Sequence, residues 1–387
     1  MPIQNTILAQ MLDDLAHQQD GFSFGEPKRY SDKALGLVVP ILRKGNYRRN
    51  YIMSREGKIN LKDSGKINKV HVTNNEDTPA FIRGGTIFGG DTQERAVIMG
   101  IVIDANTTSD VPVRCVHASK GIRGGSIMRD EGIVPHEMFP TFIGGKQEEV
   151  WNHVRRFTTG EKINRTRDEF SNRFSDWQSR SLSLHSKSSS RDRLIGARVN
   201  EPASAFLGGV STYPIETDRS HAQSDDLLGN LKEISKGKVD MENFIKQMKP
   251  LKDQVGAVVF DGVGIVGVEL FDTSKSWKVL HEQVLKKYDD ALTLEQEEPI
   301  FTLQEDMVVK KITEFVEKVL GCDEKELSSV QLKSNNSYAH TTELINGGII
   351  GEYTQIGSHV IHIFLMKRHL SPEEKKKQKG KELEVTC

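Results

Sequence analysis

The triplet Gln93, Glu94 and Arg95 has side chains of the types that bind polar or anionic ligands. It stands between a glycine-rich turn and an apolar run that begins at Ala96. Polar residues at the start of a buried strand are well placed to contact a ligand, and an arginine guanidinium can form bidentate hydrogen bonds with a phosphate or a carboxylate. The structural alternative is an internal ion pair of Glu94 and Arg95 that ties down the turn. The sequence leaves both interpretations open.

A thiol and an imidazole stand two positions apart, at Cys115 and His117, in a predicted strand that begins at Val111. Alternate residues of a strand share a face, with Cα atoms about 6.5 to 7 Å apart, so these two side chains project in parallel. A thiol beside an imidazole can form a nucleophile–base pair. A buried free cysteine is also a common inert core residue, and that alternative stays open.

A single carboxylate, Glu269, lies in a strand pattern and shares its face with Ile265, Gly267 and Phe271. A carboxylate on a mostly apolar face is costly unless it is paired or solvated in a cavity. Glu269 is therefore our candidate catalytic base, with ligand binding or metal binding as further roles. The alternatives are a buried ion pair, with Arg95 as a candidate partner, and a strand end that opens to solvent.

The last predicted strand holds His359 and His362, which point to opposite faces and cannot form one site locally. His362 shares its face with Val360 and Phe364, as a core histidine would, and it is also a candidate ligand-binding residue. Without another cluster of His, Asp or Glu at ligand spacing, we predict no metal. Glycine-rich loops with basic residues could nest an anion, but none has the Walker or dinucleotide spacing, so we predict no cofactor. These loops are Arg83 to Gly85, Lys120 to Gly125, and Gly144 to Lys146.

Hydrophobic periodicity places these residues on short strands with helices at the ends. We expect an α+β fold of antiparallel sheets, packed as a sandwich or an open barrel, with helices at the ends and on one side. Ala96–Ile103 is predicted to be one strand covered on both faces, since nearly every residue in it is apolar. Val255–Phe260 and Ile265–Phe271 predict a hairpin, followed by a helix capped by Ser274 or Ser276.

The composition divides the chain into a predicted domain and two polar segments. The domain spans residues 1–370, with a β-rich part at 34–145, a hairpin–helix part at 250–292 and closing strands at 330–366. Residues 175–198 form a Ser/Arg-rich insertion and residues 371–387 a Lys-rich tail. We expect both to be flexible, because they can bury too little apolar area to offset the entropy of ordering.

The net charge, the length of the apolar runs and the number of cysteines exclude several classes of protein. The net charge is −1, with 53 Lys plus Arg against 54 Asp plus Glu, so only local patches could attract nucleic acid. No apolar run approaches the roughly 20 residues that span a bilayer, and no signal-peptide pattern opens the sequence, so we expect no membrane association. Three scattered cysteines predict no disulfide framework and favour the reducing cytoplasm.

Two stretches of the sequence, residues 70–121 and 253–292, resemble the domain family named for its association with ADP-ribosylglycohydrolases and rhodanese-phosphatases. Residues 347–366 are similar to the closing strands of that family. The family run Gly-x-x-Gln-Asn-Arg is Gly90 to Arg95 here, with Glu94 in place of Asn, and His117 replaces a Glu that usually follows Cys-Val. Lys120 to Gly125 stands where the family tends to have Gly-Arg-Trp. The resemblance implies an association with NAD and ADP-ribose metabolism rather than a particular reaction.

Two functions remain open from the sequence. The first is a ligand-handling domain that binds or acts on a phosphorylated small molecule, such as a nucleotide or an ADP-ribose derivative. Gln93 and Arg95 would then bind the ligand, and Glu269 would act as base or position water. The second is a non-catalytic module that binds RNA, ribosomes or a protein through the basic segment 155–198 and the C-terminal tail. Whether the protein is an enzyme is left open.

Overall fold

The computed structural model describes residues 3–45, 48–144, 146–159, 226–237, 239–261, 264–293, 305–346 and 348–367. Within these ranges the α-helices are α1 (Thr6–Ala16), α2 (Phe139–Gly144), α3 (Gln147–Thr159), α4 (Leu227–Gly237), α5 (Val239–Gln247), α6 (Ser274–Lys286), α7 (Asp289–Leu292) and α8 (Glu305–Leu320), with a 3-10 turn at His136–Met138. The strands are β1 (Phe22–Phe24), β2 (Lys28–Arg29), β3 (Leu37–Arg43), β4 (Ile52–Met53), β5 (Ile59–Asp63), β6 (Lys69–Asn74), β7 (Ala80–Ile82), β8 (Thr86–Gly90), β9 (Arg95–Val97), β10 (Ile101–Ile103), β11 (Thr107–Cys115), β12 (Ile127–Ile133), β13 (Gln254–Phe260), β14 (Ile265–Phe271), β15 (Asp323–Leu332), β16 (Ser337–Ile345), β17 (Ile349–Ile356) and β18 (His359–Lys367).

A nine-stranded sheet joins the two ends of the described chain. Its order is β1-β3-β13-β14-β18-β17-β16-β15, with β2 paired to β3, and every pairing in it is antiparallel. The N-terminal β3 thus pairs with β13, more than two hundred positions later. The final strand β18 lies at the centre of this sheet, between β14 and β17.

The β-rich middle of the chain forms a closed six-stranded barrel, in the order β11-β6-β5-β12-β8-β9. A small sheet, β10-β7-β4, includes a parallel pair between β4 and β7. Alternation explains the barrel: β6 buries Val70 and Val72 and exposes His71 between them. The prediction of antiparallel sheets with accompanying helices is confirmed, and the barrel is closed rather than open.

The two faces of the nine-stranded sheet bury different sets of residues. One face packs against α1 and α8, where Leu12 and Ile312 join Val258 and Ile363 in one apolar cluster. The opposite face packs against the small sheet and α6, where Phe81 and Trp277 join Phe364 in a second cluster. The barrel interior forms a third cluster. The second face carries the charged residues described below.

The predicted hairpin and most of the predicted helices are present. Strands β13 and β14 pair antiparallel, and the amide of Asp261 donates to the carbonyl of Gly264 at 3.1 Å where they meet. The next helix, α6, begins as expected, but the prediction that Ser274 or Ser276 caps it is wrong. Thr273 is the cap, because its extended backbone lets its hydroxyl accept the amide of Ser276.

The prediction of one buried strand from Ala96 to Ile103 is wrong. The run divides into β9, in the barrel, and β10, in the small sheet. Gly100 lies at the division, where a Cβ would be 2.6 Å from the hydroxyl of Thr354, and its amide donates to Glu352 at 2.9 Å. The close approach of β17 requires glycine here, and the chain changes sheet at this point.

Both polar segments of the sequence prediction, residues 175–198 and 371–387, lie outside the described residues, as does most of 155–198. In the part of the chain that the structure covers, no helix is long and apolar enough to cross a membrane.

Candidate functional site

Two groups of polar residues contain most of the side chains that the sequence singled out. The core cluster comprises Arg83, Glu269, Lys287, Glu352 and His362. The rim cluster comprises Gln93, Glu94, His117, Lys120 and Asp226.

The core cluster lies on the inner face of the nine-stranded sheet. Glu269 on β14 is directly opposite Phe364 on β18, and Phe364 is opposite Glu352 on β17. Cross-strand partners project from the same face, so two carboxylates flank one phenyl ring. Arg83, which follows β7, reaches this row and places its guanidinium 4.4 Å from the centre of that ring.

Glu269 is held by three side chains that carry nitrogen donors. Arg83 Nε donates to Glu269 Oε1 at 2.5 Å and Arg83 Nη2 donates to Glu269 Oε2 at 2.9 Å, so the ion pair is bidentate. His362 Nε2 lies 2.7 Å from Oε1, and Lys287 Nζ donates to Oε2. All of these side chains are buried. The structure therefore brings together Glu269 and His362, two of the residues that the sequence singled out.

The pKa shifts in this cluster follow from burial and from the three side chains that surround Glu269. Burial alone would raise the pKa of Glu269, but the charges of Arg83 and Lys287 and the bond from His362 hold that pKa well below its ordinary value. Burial, with Arg83 nearby, lowers the pKa of Lys287. Burial also lowers the pKa of His362 to about 4, so its imidazole is neutral at pH 7.

The second carboxylate, Glu352, has fewer hydrogen-bond donors than Glu269 among the described residues. Its Oε1 accepts the amide of Gly100 at 2.9 Å, and its Oε2 accepts no hydrogen bond from the described residues. Burial raises its pKa to about 7, against the opposing charge of Arg83. A buried carboxyl that lacks donors favours its protonated form.

These contacts favour the ion-pair interpretation of Glu269 over the catalytic one. Only 1% of Glu269 is exposed, and a carboxylate with a low pKa that is held by three side chains is a weak base. Its partner is Arg83, so the alternative that named Arg95 is wrong. The possibility that the basic residue of the loop from Arg83 to Gly85 helps to bind an anion is not favoured, because the guanidinium of Arg83 is already bound to Glu269.

Arg95 pairs with Asp63 at the end of β5. Its Nη1 and Nη2 each lie 3.0 Å from a different oxygen of Asp63, and both side chains are fully buried. Thr92 and the amide of Gly65 also donate to this carboxylate. Arg95 is thus engaged inside the barrel and away from Glu269, so the prediction that these two residues act on one ligand is wrong. Neither does it pair with Glu94.

Cys115 and His117 share a face but do not form a thiol–imidazole contact. The sulfur accepts the backbone amide of His117 at 3.4 Å, while the imidazole turns toward Glu94. Cys115 is buried, and burial raises the pKa of its thiol. Gln147 holds its backbone with two hydrogen bonds, at 3.0 and 2.8 Å. This geometry is that of the inert core thiol.

The rim cluster forms where the turn before β9 meets the end of β11. The amide of Val116 donates to the carbonyl of Glu94 at 3.0 Å, and the amide of Gln93 donates to the carbonyl of Gly121 at 3.2 Å. Helix α4 joins them, because the amide of Leu227 donates to the carbonyl of Val116 at 3.3 Å. Three segments that are distant in the sequence therefore meet at one edge of the barrel.

The side chains of the rim cluster converge on Glu94 and His117. His117 Nδ1 lies 2.6 Å from Glu94 Oε2 and 3.5 Å from Asp226 Oδ1. Lys120 Nζ donates to Glu94 Oε1 and, at 2.7 Å, to the carbonyl of Gly90. Gln93 Nε2 donates to the carbonyl of His117 at 3.1 Å. Burial would raise the pKa of Glu94, but the bonds from His117 and Lys120 lower it.

The rim cluster is partly open to solvent, unlike the core cluster, although its members Gln93 and Glu94 are buried. The side chains of Lys120 and Asp226 are 31% and 30% exposed, and that of His117 is 15% exposed. The loop that follows Lys120 is exposed from Gly121 to Gly125 and includes Arg123. An accessible group of carboxylate, imidazole and ammonium can bind a polar ligand, exchange protons with it, or coordinate a cation.

The sequence analysis did not identify several residues that interact with the candidate residues. Asp63 ends an alternating strand, Glu352 lies in a strand that is buried at nearly every position, and Lys287 follows an amphipathic helix, so local pattern does not distinguish them. One available signal was the position of Arg83 before two glycines, which marks a close approach of the backbone. Asp226 carries a helix-cap signal, since its Oδ1 accepts the amide of Gly229 at 2.8 Å.

Comparison with known proteins identifies the family. A search of curated proteins finds no significant match, and a search of solved structures finds none either. A family model described as the ARG and Rhodanese-Phosphatase-superfamily-associated Protein domain, ARPP-1, matches residues 22–366. This match spans most of the chain and includes both clusters, and it agrees with the resemblance in residues 70–121 and 253–292. The chain belongs to the ARPP-1 family.

Proposed function

We propose that this protein binds a phosphorylated small molecule, such as a nucleotide or an ADP-ribose derivative, at the rim cluster. The observation that carries the proposal is the assembly of Gln93, Glu94, His117 and Lys120 at an accessible edge of the barrel. The family association with ADP-ribosylglycohydrolases supports the choice of ligand class.

Lys120 is the residue that we expect to contact the phosphate. An ammonium group has three donors, and two of them are used on Glu94 and on the carbonyl of Gly90. The third has no partner among the residues that the structure describes and could bind an anion, and Arg123 lies in the exposed loop three positions later. Glu94 fixes the ammonium in place, so little side-chain entropy remains to be lost when a phosphate binds.

His117 and Glu94 would recognise the rest of the ligand. A carboxylate accepts hydrogen bonds from ribose hydroxyls, and the imidazole has a second nitrogen, Nε2, beside the one that faces Glu94. The same pair could transfer a proton, because the imidazole is oriented by a carboxylate as in a general acid–base pair. We propose only that the ligand binds here, and its turnover would be measured separately.

Calorimetric titration of the purified full chain with ADP-ribose, ADP and inorganic phosphate tests the proposal. We expect the Lys120→Ala variant to weaken binding by about 10-fold or more, because a hydrogen bond to a charged group contributes about 1.5 to 3 kcal/mol. Lys69→Ala is the matched control, since Lys69 also forms an exposed ion pair on the barrel, with Asp110 at 3.1 Å. No binding of any of these ligands, or equal affinity in the Lys120→Ala variant, would refute the proposal.

The alternative function, binding of RNA, ribosomes or a protein through basic segments, depends on residues outside those that the structure describes. It stays a prediction from the sequence. Deletion of residues 175–198 and of 371–387 tests it, because loss of salt-sensitive partner binding is expected if these segments make the contact.

A further inference from the structure

The rim cluster contains three side chains whose ligating atoms come together from three parts of the chain. One ligating atom from each of Glu94, His117 and Asp226 lies within 4.8 Å of those of the other two. Glu94 precedes β9, His117 follows β11, and Asp226 immediately precedes α4. Tertiary contacts alone bring these three residues together, because no local motif contains more than one of them.

The spacing is close to that of ligands in the coordination shell of a metal ion. Ligands at about 2.0 to 2.2 Å from a divalent ion are separated by roughly 3 to 4.4 Å. The distance from His117 Nδ1 to Asp226 Oδ1 is 3.5 Å, within this range, whereas the 2.6 Å to Glu94 Oε2 is a hydrogen-bond distance that must lengthen to admit an ion. Small side-chain rotations would place all three atoms on one ion. One imidazole and two carboxylates suit transition ions such as Mn²⁺ and Zn²⁺.

Glu94 divides its two oxygens between different partners. Oε1 holds Lys120, and Oε2 faces His117. An ion on Oε2 would leave the Lys120 bond intact, and His117 would then carry its proton on Nε2. The two carboxylates and one ammonium sum to a charge of about −1 when the imidazole is neutral, which favours a cation.

Gln93 provides an independent sign of a missing partner. Only 4% of this residue is exposed, and its Nε2 is bound to the carbonyl of His117. Its Oε1 is buried and has no hydrogen-bond partner among the described residues. A buried amide oxygen without a partner is destabilising, because folding removes it from water without replacing the hydrogen bond. A water molecule on the ion would offer the donor that this oxygen lacks.

We propose that Glu94, His117 and Asp226 bind one divalent transition-metal ion at the edge of the barrel. The ion site rests on its own geometry; only its role in holding a phosphate beside Lys120 rests on the proposed function. In that role the ion would neutralise the phosphate oxygens that Lys120 does not reach.

Titration with Mn²⁺, followed by electron paramagnetic resonance of the free ion, tests the inference on the full chain after treatment with a chelator. We expect one bound Mn²⁺ per chain, and a loss of affinity of at least 10-fold in both the His117→Ala and Glu94→Gln variants. His71→Ala is the matched control, because His71 Nδ1 lies 2.6 Å from Asp110 Oδ1 but faces no second carboxylate in the described structure. Circular dichroism checks that each variant is folded, and Glu94→Gln preserves side-chain shape.

The outcomes separate this inference from the proposed function. No stoichiometric Mn²⁺ or Zn²⁺ binding, or binding that His117→Ala leaves unchanged, overturns the ion site. Stoichiometric binding that both variants lose supports it. Phosphate-ligand binding that persists in the chelator without change would uphold the proposed function and remove the ion from it. Ion binding without any affinity for ADP-ribose or ADP would support the site and refute the proposed function.

Discussion

Glu352 makes the stability of this protein depend on pH in a direction opposite to that of most carboxylates. Its pKa rises from 4.5 to about 7 on folding, because burial disfavours the charge and, among the described residues, Oε2 has no donor to offset that cost. Between these two pH values the folded chain keeps a proton that the unfolded chain has lost. The free energy of unfolding therefore falls as the pH rises through this window, and the loss is complete above the folded pKa.

The magnitude follows from the two pKa values. Each pH unit of difference corresponds to about 1.4 kcal/mol, so the ionised carboxyl costs about 3.5 kcal/mol at high pH. Glu352→Gln removes the ionisation and keeps an oxygen that can accept the Gly100 amide. We expect the stability of the variant relative to the wild type to increase by about 2 to 3 kcal/mol between pH 5 and pH 8.

Urea unfolding followed by tryptophan fluorescence, at pH values from 5 to 8, measures this difference. The comparison of variant with wild type cancels the contribution of His362, whose pKa of about 4 gives the opposite slope. Glu282→Gln is a control, because Glu282 is exposed on α6. If the stability difference between the wild type and Glu352→Gln stays constant across this range, Glu352 does not titrate on folding and the electrostatic reasoning for the core cluster is refuted.

Two further predictions concern close packing and buried charge. Gly267→Ala would place a Cβ 2.2 Å from the hydroxyl of Tyr288, and we expect a loss of about 1 to 3 kcal/mol in unfolding free energy. Gly132→Ala, with nothing within 4 Å, is its control, and equal stability of the two variants would contradict the packing argument. Asp63→Ala leaves Arg95 buried without its carboxylate, and we expect urea unfolding to show a loss of about 3 to 5 kcal/mol. A loss under about 1 kcal/mol would show that Arg95 gains another partner or solvent.

Local sequence determined the elements of this fold to a large extent. Apolar residues at helical spacing predict α8 over the same residues, Glu305–Leu320, that the structure assigns to it. The alternation in Lys69–Thr73 predicts β6, and the turn after Phe260 predicts the hairpin of β13 and β14. These features are encoded within a few residues, because helix and strand periods arise from neighbouring side chains.

The same local reasoning was wrong where neighbours in space decide the structure. The run from Ala96 to Ile103 has the pattern of one strand, yet the approach of β17 at Gly100 divides it between two sheets. Local pattern also could not predict which arginine neutralises Glu269. Arg83 and Arg95 lie only twelve positions apart beside short strands of the same region, but Arg83 faces the nine-stranded sheet and Arg95 faces Asp63 in the barrel.

The sequence by itself thus determined the element types, the family and the residues Glu94 and His117 as candidates. The tertiary structure decided which polar residues share a site. It joined Glu94 and His117 to Asp226, which lies more than one hundred positions later, and it enclosed Glu269 among side chains from three other segments. The physical reason is that a charge buried in an apolar interior must find its partner across the fold, and long-range strand pairing sets those partners rather than sequence spacing.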